Sequence, residues 1–313
     1  MMRTVLGVDL DAEVEPLFEN AVPGTVLLCD GDGAAYRAAA TAKTLPTAYR
    51  RFLQEILTDQ FLTRTEAVEV YLTASGGKKA YRDLYPTWKP YQGNRNGKKK
   101  PALLEPLRQF LASGPDDLPD GIEVQVENFW EADDRLIMRA TALGDTAVMK
   151  SDDKDLRLTP GPYYENSTGC IDKIDGRFGW IKDSYTESLN LKVVGHGTKF
   201  FWAQMLMGDS ADNVRGLDRL HGKMVGEVGT LEYLVPIEDE NEAANRILWA
   251  YAKHKQDALA EAQMLWLRRS ESDCAYRYLT ELDLDPKLRK WLDSLHEYHQ
   301  KYMQPHLEND DET

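Results

Sequence analysis

The stretch Val26-Leu27-Leu28-Cys29-Asp30-Gly31-Asp32-Gly33 decides the architecture. Four apolar residues in a row, without alternation, are what a strand buried on both faces shows. The Asp-Gly pairs that follow are turn formers, and residues 34–44 then read as a helix. Pro23-Gly24 punctuates the chain just before the run. Further along, 47–62 is an amphipathic helix with Ala48, Phe52, Ile56 and Leu57 on one face. Residues 68–72 alternate as a strand. A helix over 103–111, a strand over 122–126, a helix over 132–143 and a strand over 146–149 follow. Strands alternating with helices predict an α/β fold with a mostly parallel central sheet flanked by helices. Ligands of such sheets bind beyond the C-terminal strand ends.

The texture changes near residue 196. Residues 200–207 read as an apolar helix, Gly-rich turns run from Gly208 to Gly229, and 241–269 read as one or two helices. The expected organisation is an N-terminal extension (1–20), an α/β part (21–195) and a helical part (196–313). Between 76 and 100 lies a polar, basic and aromatic segment without period, a length of loop that is usually functional or disordered.

The chain has 313 residues, 42% hydrophobic and 29% charged, an ordinary globular composition. Its three cysteines, Cys29, Cys170 and Cys274, lack metal-ligand spacing, which argues against a disulfide framework and against zinc. No stretch approaches the roughly 20 apolar residues of a membrane span, and no signal peptide is evident. A reducing, cytoplasmic location is expected. The formal net charge of −14 points away from polyanions. Yet Lys78, Lys79, Arg82, Lys89, Arg95, Lys98, Lys99 and Lys100 share one window in which Asp83 is the only acid. A local basic patch of that kind can bind phosphates on an acidic protein.

Four groups of acids stand where local structure would aim them at one place. Asp30 and Asp32 follow the first strand. Glu131, Asp133 and Asp134 open a helix, Glu131 and Asp134 being three apart and on one face. Asp152, Asp153 and Asp155 follow the strand ending near Lys150, and Asp209 and Asp212 follow the helix over 200–207. Singly, each has an ordinary reading as a cap or a turn. Together, they would repel one another unless a cation neutralised them. Oxygen ligands without His or Cys select Mg²⁺ or Mn²⁺, and so many suit two ions roughly 3.5–4 Å apart, an arrangement used in phosphoryl chemistry.

These residues resemble the 5′-nuclease family, which includes flap endonucleases, phage 5′→3′ exonucleases and the N-terminal nuclease domain of bacterial DNA polymerase I. The resemblance runs from about Val26 to Gly226. It is carried by Leu27-Leu28-Cys29-Asp30 with Tyr36-Arg37, by Glu131-Ala132-Asp133-Asp134, by Asp153-Lys154-Asp155-Leu156, and by Gly208-Asp209-Ser210-Ala211-Asp212-Asn213 with its following turn. It implies a PIN-like 5′-nuclease core over 21–195 and structure-dependent hydrolysis of DNA phosphodiesters by two Mg²⁺ ions, with Mn²⁺ as a substitute. One ion would be held mainly by Asp30, Glu131, Asp133 and Asp134. The other would be held by Asp153, Asp155, Asp209 and Asp212, partly through water. Substrates would be DNA with a free 5′ end, flap, nick or gap, or an RNA–DNA hybrid. The setting would be phage or bacterial replication or repair, by a free-standing nuclease without a polymerase domain.

The same resemblance makes 76–100 a helical arch or gateway. Tyr85-Pro86-Thr87-Trp88-Lys89-Pro90-Tyr91-Gln92-Gly93-Asn94-Arg95 is similar to the family's Pro-x-Tyr-Lys-x-Asn-Arg, with either Lys89 or Gln92 at the Lys position. Lys89 is favoured because Gln carries no charge. Lys89, Arg95 and Arg37 are thereby implied as catalytic. Lys78, Lys79, Arg82, Lys98, Lys99 and Lys100 are implied to bind DNA, and Trp88 and Tyr91 could stack on a frayed base. Gly216-Leu217-Asp218-Arg219-Leu220-His221-Gly222-Lys223 resembles a helix–hairpin–helix element that grips duplex backbone. Arg215, Gly216 and Lys223 would contact DNA there and a K⁺ ion could bind, although His221 stands where a glycine is expected. The family's additional Asp after the second strand has no counterpart in Val70-Tyr71-Leu72-Thr73-Ala74-Ser75. Either Asp32 compensates or the first site is weaker.

Two other readings fit parts of the chain. Asp30-Gly31-Asp32 is similar to the nucleophile motif of haloacid-dehalogenase-type phosphatases, a reading that requires Asp209 to follow a strand. A catalytically weakened DNA-structure-binding protein would also account for Ser75.

Overall fold

The computed structural model describes residues 20–310 and, before them, the backbone of two short paired strands, β1 (Thr4–Val5) and β2 (Val8–Asp9). The rest of the expected N-terminal extension, and residues 311–313, lie outside the described residues.

The decisive apolar run forms β3 (Val22–Asp30). It starts earlier than the run because Pro23 and Gly24 sit inside the strand. The pairing with the neighbouring strand shifts between Val22 and Val26, and Gly24 takes φ +77° to absorb the irregularity. Helix α1 (Gly31–Thr41) begins at once because Asp30 caps it. The Asp30 Oδ1 accepts from the amides of Asp32 and Gly33 at 3.0 and 3.2 Å. Gly31 is required there, since a Cβ would lie 2.7 Å from the Tyr71 carbonyl oxygen. Helix α2 (Leu45–Thr63) is capped by Thr44 and ends at Arg64 in the left-handed region. That turn sends the chain directly into β4 (Thr65–Thr73).

Next come α3 (Leu104–Ala112), β5 (Ile122–Glu127), α4 (Ala132–Leu143), β6 (Ala147–Lys150), β7 (Gly161–Glu165) and β8 (Cys170–Ile174). They complete a six-stranded sheet in the order β5-β4-β3-β6-β7-β8, parallel except for the edge strand β8. Leu27, Cys29, Val68, Val70 and Leu72 pack on the face covered by α1, α2 and α3. Leu28, Tyr71, Ala147 and Met149 pack with α4 residues on the other. Alternate residues of one strand thus serve two cores, which is why β3 carries no polar alternation. From β3 the chain builds outward through β4 and β5, then crosses back to β6 on the opposite side of β3. The C-terminal ends of β3 and β6 therefore meet where the winding reverses, the place where such sheets leave a crevice.

Residues 157–196, almost all within the expected α/β part but without an assigned element, hold β7, β8 and a separate hairpin of β9 (Trp180–Tyr185) and β10 (Leu191–His196). Four of the five β8 residues are exposed, so its apolar period is lost. Then follow α5 (Thr198–Met207), α6 (Glu227–Leu234), α7 (Glu240–Lys253), α8 (Ala258–Leu265), α9 (Ala275–Thr280) and α10 (Pro286–Asp310). Helix α5 is apolar nearly all round because it is the buried axis of this part. Among the described residues no helix is long and apolar enough to cross a membrane.

The segment over 76–100 is not a helical arch. It holds two 3₁₀ turns, Lys79–Leu84 and Gly93–Arg95, with Pro86 and Pro90 between them. It lies against the loop after α5. The Gln92 amide donates to the Asp212 carbonyl at 3.0 Å, and Asn213 Nδ2 donates to the Pro90 carbonyl at 2.8 Å.

Candidate metal and nucleic-acid site

A cavity of about 160 Å³ opens where the sheet winding reverses. Asp30, Asp32, Glu131, Asp133, Asp153, Asp155 and Asp212 line it, with Tyr91, Gln92 and Arg95 across the top. That is room for several waters, or for ions that keep part of their hydration.

Local structure places each acid. Asp30 ends β3 and caps α1 with one oxygen, while its other accepts from Ser151 Oγ at 2.9 Å, beyond the end of β6. Asp32, in the first turn of α1, accepts from the Thr73 amide at the end of β4, and Arg108 Nη2 reaches it at 2.6 Å. Asp153 caps the 3₁₀ turn Lys154–Leu158, accepting from the Asp155 amide at 2.9 Å. Asp155 accepts from Gln204 Nε2 of α5 at 2.7 Å. Glu131 precedes α4 and accepts from Arg82 Nη1 at 2.6 Å and Tyr91 Oη at 2.8 Å. Asp212 accepts from Gln92 Nε2 at 3.0 Å and Arg95 Nη2 at 2.8 Å. The capping and the cleft-lining roles of Asp30 and Asp153 coexist in the same carboxylates.

The electrostatics are those of crowded anions. Desolvation first, and then Asp30, Asp153, Glu131 and Asp32, push the Asp133 carboxyl well above the ordinary range. It has no hydrogen-bond or ion-pair partner among the described residues. Burial and Asp32 raise Asp30, and burial raises Asp153. Burial and Asp153 push Asp155 up to about 7, and burial pushes Asp212 up to about 6. As the side chains stand, no three His, Cys, Asp or Glu groups among the described residues are drawn together closely enough to grip an ion. Their oxygens are instead engaged by Arg82, Arg95, Arg108 and Lys154. The donor set fits a hard divalent cation: all oxygen, strongly anionic, with an unpartnered carboxylate inside the cavity.

Two of the expected ligands stand apart from the cavity. Asp134 is 0% exposed and paired through both oxygens with Arg82. Asp209 is buried behind Lys154 and Gln204, which both donate to its Oδ2. Arg82 itself is 2% exposed and bridges Glu131, Asp134 and the carbonyls of Gln263 and Trp266, so it is an internal cation rather than a DNA contact. Arg37 pairs with Glu55 and Asp152 outside the cavity. Lys89 is exposed and lines neither this cavity nor the next one, whereas Gln92 reaches the carboxylates.

A second cavity of about 750 Å³ adjoins the first and shares Asp32, Thr73, Tyr91, Gln92, Arg95 and Glu131 with it. Lys79, Lys98, Lys99, Lys100 and Arg108 line its remaining wall, with Tyr36. A basic chamber thus opens directly onto an acidic one.

No protein-family model matches the chain, and no curated protein sequence matches it. Solved structures are similar in outline. One is a T5 5′-exonuclease with bound zinc: 15% identity, 88% of this chain and 99% of that chain covered, TM-score 0.48. Another is the T5 D15 protein co-crystallised with metal ions: 14% identity, 90% and 98% covered, TM-score 0.46. A third is a bacteriophage T5 D15 flap endonuclease in a pseudo-enzyme–product complex with DNA and metal ions: 13% identity, 90% and 99% covered, TM-score 0.45.

The remaining expected DNA contacts divide. Tyr91 points inward, its hydroxyl on Glu131, and is not free to stack on a base. Trp88 is 74% exposed and carries the Arg215 guanidinium 4.3 Å from its ring centroid. The amides of Arg215 and Gly216 both donate to Glu261 Oε2 at 3.1 Å, so the protein already satisfies the main-chain donors expected to grip a phosphate. His221 takes φ +50° and Gly222 φ +82°, so histidine adopts the glycine-like backbone and the turn to Lys223 forms. Ser75, at the missing acid, donates to Glu105. Sequence reading overlooked Gln204, the single amide in the apolar run 200–207, which was a usable signal. Arg108 and Glu261 carry no local signal, since their partners are far along the chain.

Proposed function

We propose that this chain is a divalent-cation-dependent 5′-nuclease of DNA, acting on flaps, nicks, gaps or RNA–DNA hybrids in phage or bacterial replication or repair, in the cytoplasm. The observation that carries this is the meeting of acids from four distant segments in one cavity that opens into a lysine-lined chamber. The 5′ polarity is drawn from the order of the four motifs the acids belong to.

Asp30, Asp32, Glu131 and Asp133 would hold one ion, and Asp153, Asp155 and Asp212 the other. Ions bound there would supply a water acidic enough to attack at neutral pH and positive charge for the phosphoryl oxygens. The chain's own residues do the rest. Arg82 and Tyr91 hold Glu131, Gln204 and Lys154 hold Asp155, and Arg108 holds Asp32 at the cavity wall, within reach of ions that would draw them together. Lys98, Lys99 and Lys100 of the adjoining chamber draw in the DNA backbone, and Arg95 faces the reacting phosphate. The 5′-labelled strand of a flap or nicked duplex should be cut with Mg²⁺ and remain intact in EDTA. Binding in EDTA with no cutting under any metal would instead favour a DNA-structure-binding protein, the reading that Ser75 motivates.

The phosphatase reading is not supported. Asp209 follows helix α5 rather than a strand, and both Asp30 oxygens accept hydrogen bonds from the protein.

A further inference from the structure

We propose that Lys79 is a catalytic residue of this site, supplying the positive charge at the reacting phosphate on the Glu131 side of the cleft. The inference rests on the nuclease reading above. Arg95 covers the opposite side, 2.8 Å from Asp212. Between them sits Gln92, a neutral amide whose Nε2 faces Asp212 at 3.0 Å and Glu131 at 3.4 Å. A primary amide lends a phosphate no net charge. Its Oε1, however, accepts from Lys79 Nζ at 2.6 Å, and that ammonium lies 3.7 Å from Glu131 Oε1 and over the Tyr91 ring. The charge absent at position 92 is thus delivered from thirteen residues upstream.

The backbone is shaped for this delivery. Lys79, Ala80 and Tyr81 take φ of +49°, +51° and +60°, three successive non-glycine residues in the left-handed region. Such strain persists only where the surroundings enforce it, and it gathers at functional sites. Here the Lys78 amide donates to the Asn128 carbonyl at 2.8 Å and the Ala80 amide to the Phe129 carbonyl at 2.6 Å. Buried Arg82 locks the end of the turn to Glu131 and Asp134. The Lys79 side chain, 34% exposed, projects into the basic chamber at the edge of the acidic cavity. Its hydrogen bond to a neutral amide exchanges readily for one to an anionic phosphate oxygen, where donor and acceptor both carry charge.

In the reaction, the oxygen of water forms a bond to phosphorus as the ester P–O bond breaks. The electron pair leaves with the ester oxygen, which is protonated, and the proton lost by water goes to solvent. Negative charge builds on the non-bridging oxygens during this exchange. Lys79 stays protonated and donates to one of them.

Single-turnover cutting of 5′-labelled flap DNA at saturating protein in Mg²⁺, and DNA affinity in Ca²⁺, would be measured for wild type, Lys79→Ala, Lys79→Arg, Lys79→Gln and the transposed Lys79→Gln/Gln92→Lys. Loss of one such contact is expected to slow Lys79→Ala by about 100-fold, with Kd changed less than about threefold. Lys79→Arg should keep most of the rate, and the transposed pair should regain at least about tenfold over Lys79→Gln. The retained rate of Lys79→Arg separates lost charge from lost folding. The proposal is overturned if Lys79→Ala cuts at the wild-type rate, if its defect lies only in Kd, or if transposition regains nothing. Wild type without Mg²⁺-dependent cutting would overturn the nuclease reading itself, a result distinct from all of these.

Discussion

Arg82 holds both carboxylate oxygens of Asp134, at 2.6 and 2.7 Å, with the two side chains only 2% and 0% exposed. Although burial opposes the charge on Arg82, Asp134 and Glu131 keep it firmly protonated. Breaking a buried pair by removing one partner costs about 3–5 kcal/mol where the other charge is left uncompensated; here Glu131 would still neutralise part of the Arg82 charge. Asp134→Ala should therefore lower stability to urea by the lower end of that range, about 3 kcal/mol, because it loosens the Arg82 that also ties α4 to the carbonyls of Gln263 and Trp266. Unchanged unfolding with a loss of metal affinity alone would restore Asp134 to the ligand set.

Asp153 and Asp212 line the cavity directly. Asp153→Asn or Asp212→Asn should abolish cleavage of labelled DNA while leaving DNA binding largely intact, since the adjoining basic chamber is lined by other residues. Wild-type turnover by both variants would remove them from the site.

Arg95 is half-exposed and pairs with Asp212 across the cavity mouth. Arg95→Ala should slow single-turnover cutting by about 100-fold, the typical cost of one transition-state donor, and weaken binding far less. A defect expressed only in affinity, measured by fluorescence anisotropy, would assign Arg95 to substrate capture instead.

Stability should depend on pH in a distinctive direction. Folding raises Asp155 from an ordinary value of 3.8 to about 7, by burial first and then by Asp153, and raises Asp212 to about 6, chiefly by burial. Between about pH 4 and 7 the folded chain binds protons that the unfolded chain releases, so stability falls as pH rises through that window. In EDTA the Tm should drop from pH 5 to pH 8, and less so in Asp155→Asn. Mg²⁺ should raise Tm more at pH 8 than at pH 5. A Tm in EDTA that climbs with pH would contradict the crowding of these carboxylates.

Much of this is legible in the sequence, because its causes are local. The apolar run before Asp30 is continuous since both faces of β3 are buried, and the Asp-Gly pair beyond it caps α1 at the strand end. What was hidden depended on partners far apart in the chain. Glu131 and Asp134 do share a face, as their spacing implies, but that face meets Arg82, forty-nine residues from Glu131. In a basic window, Arg82 is indistinguishable from its exposed neighbours. Lys89 carries the right charge in the motif and Gln92 does not, yet Gln92 is the one turned inward, held by the Asp212 carbonyl. Polar strands such as β8 show no period because most of their side chains meet water.

Mn²⁺ binding to metal-free protein, followed by electron paramagnetic resonance, tests the central claim most directly. Two ions per chain are expected, with Glu131→Gln/Asp133→Asn losing one and Asp153→Asn/Asp155→Asn losing the other. If neither substitution pair changed the number or affinity of bound Mn²⁺, these carboxylates would not be the metal site.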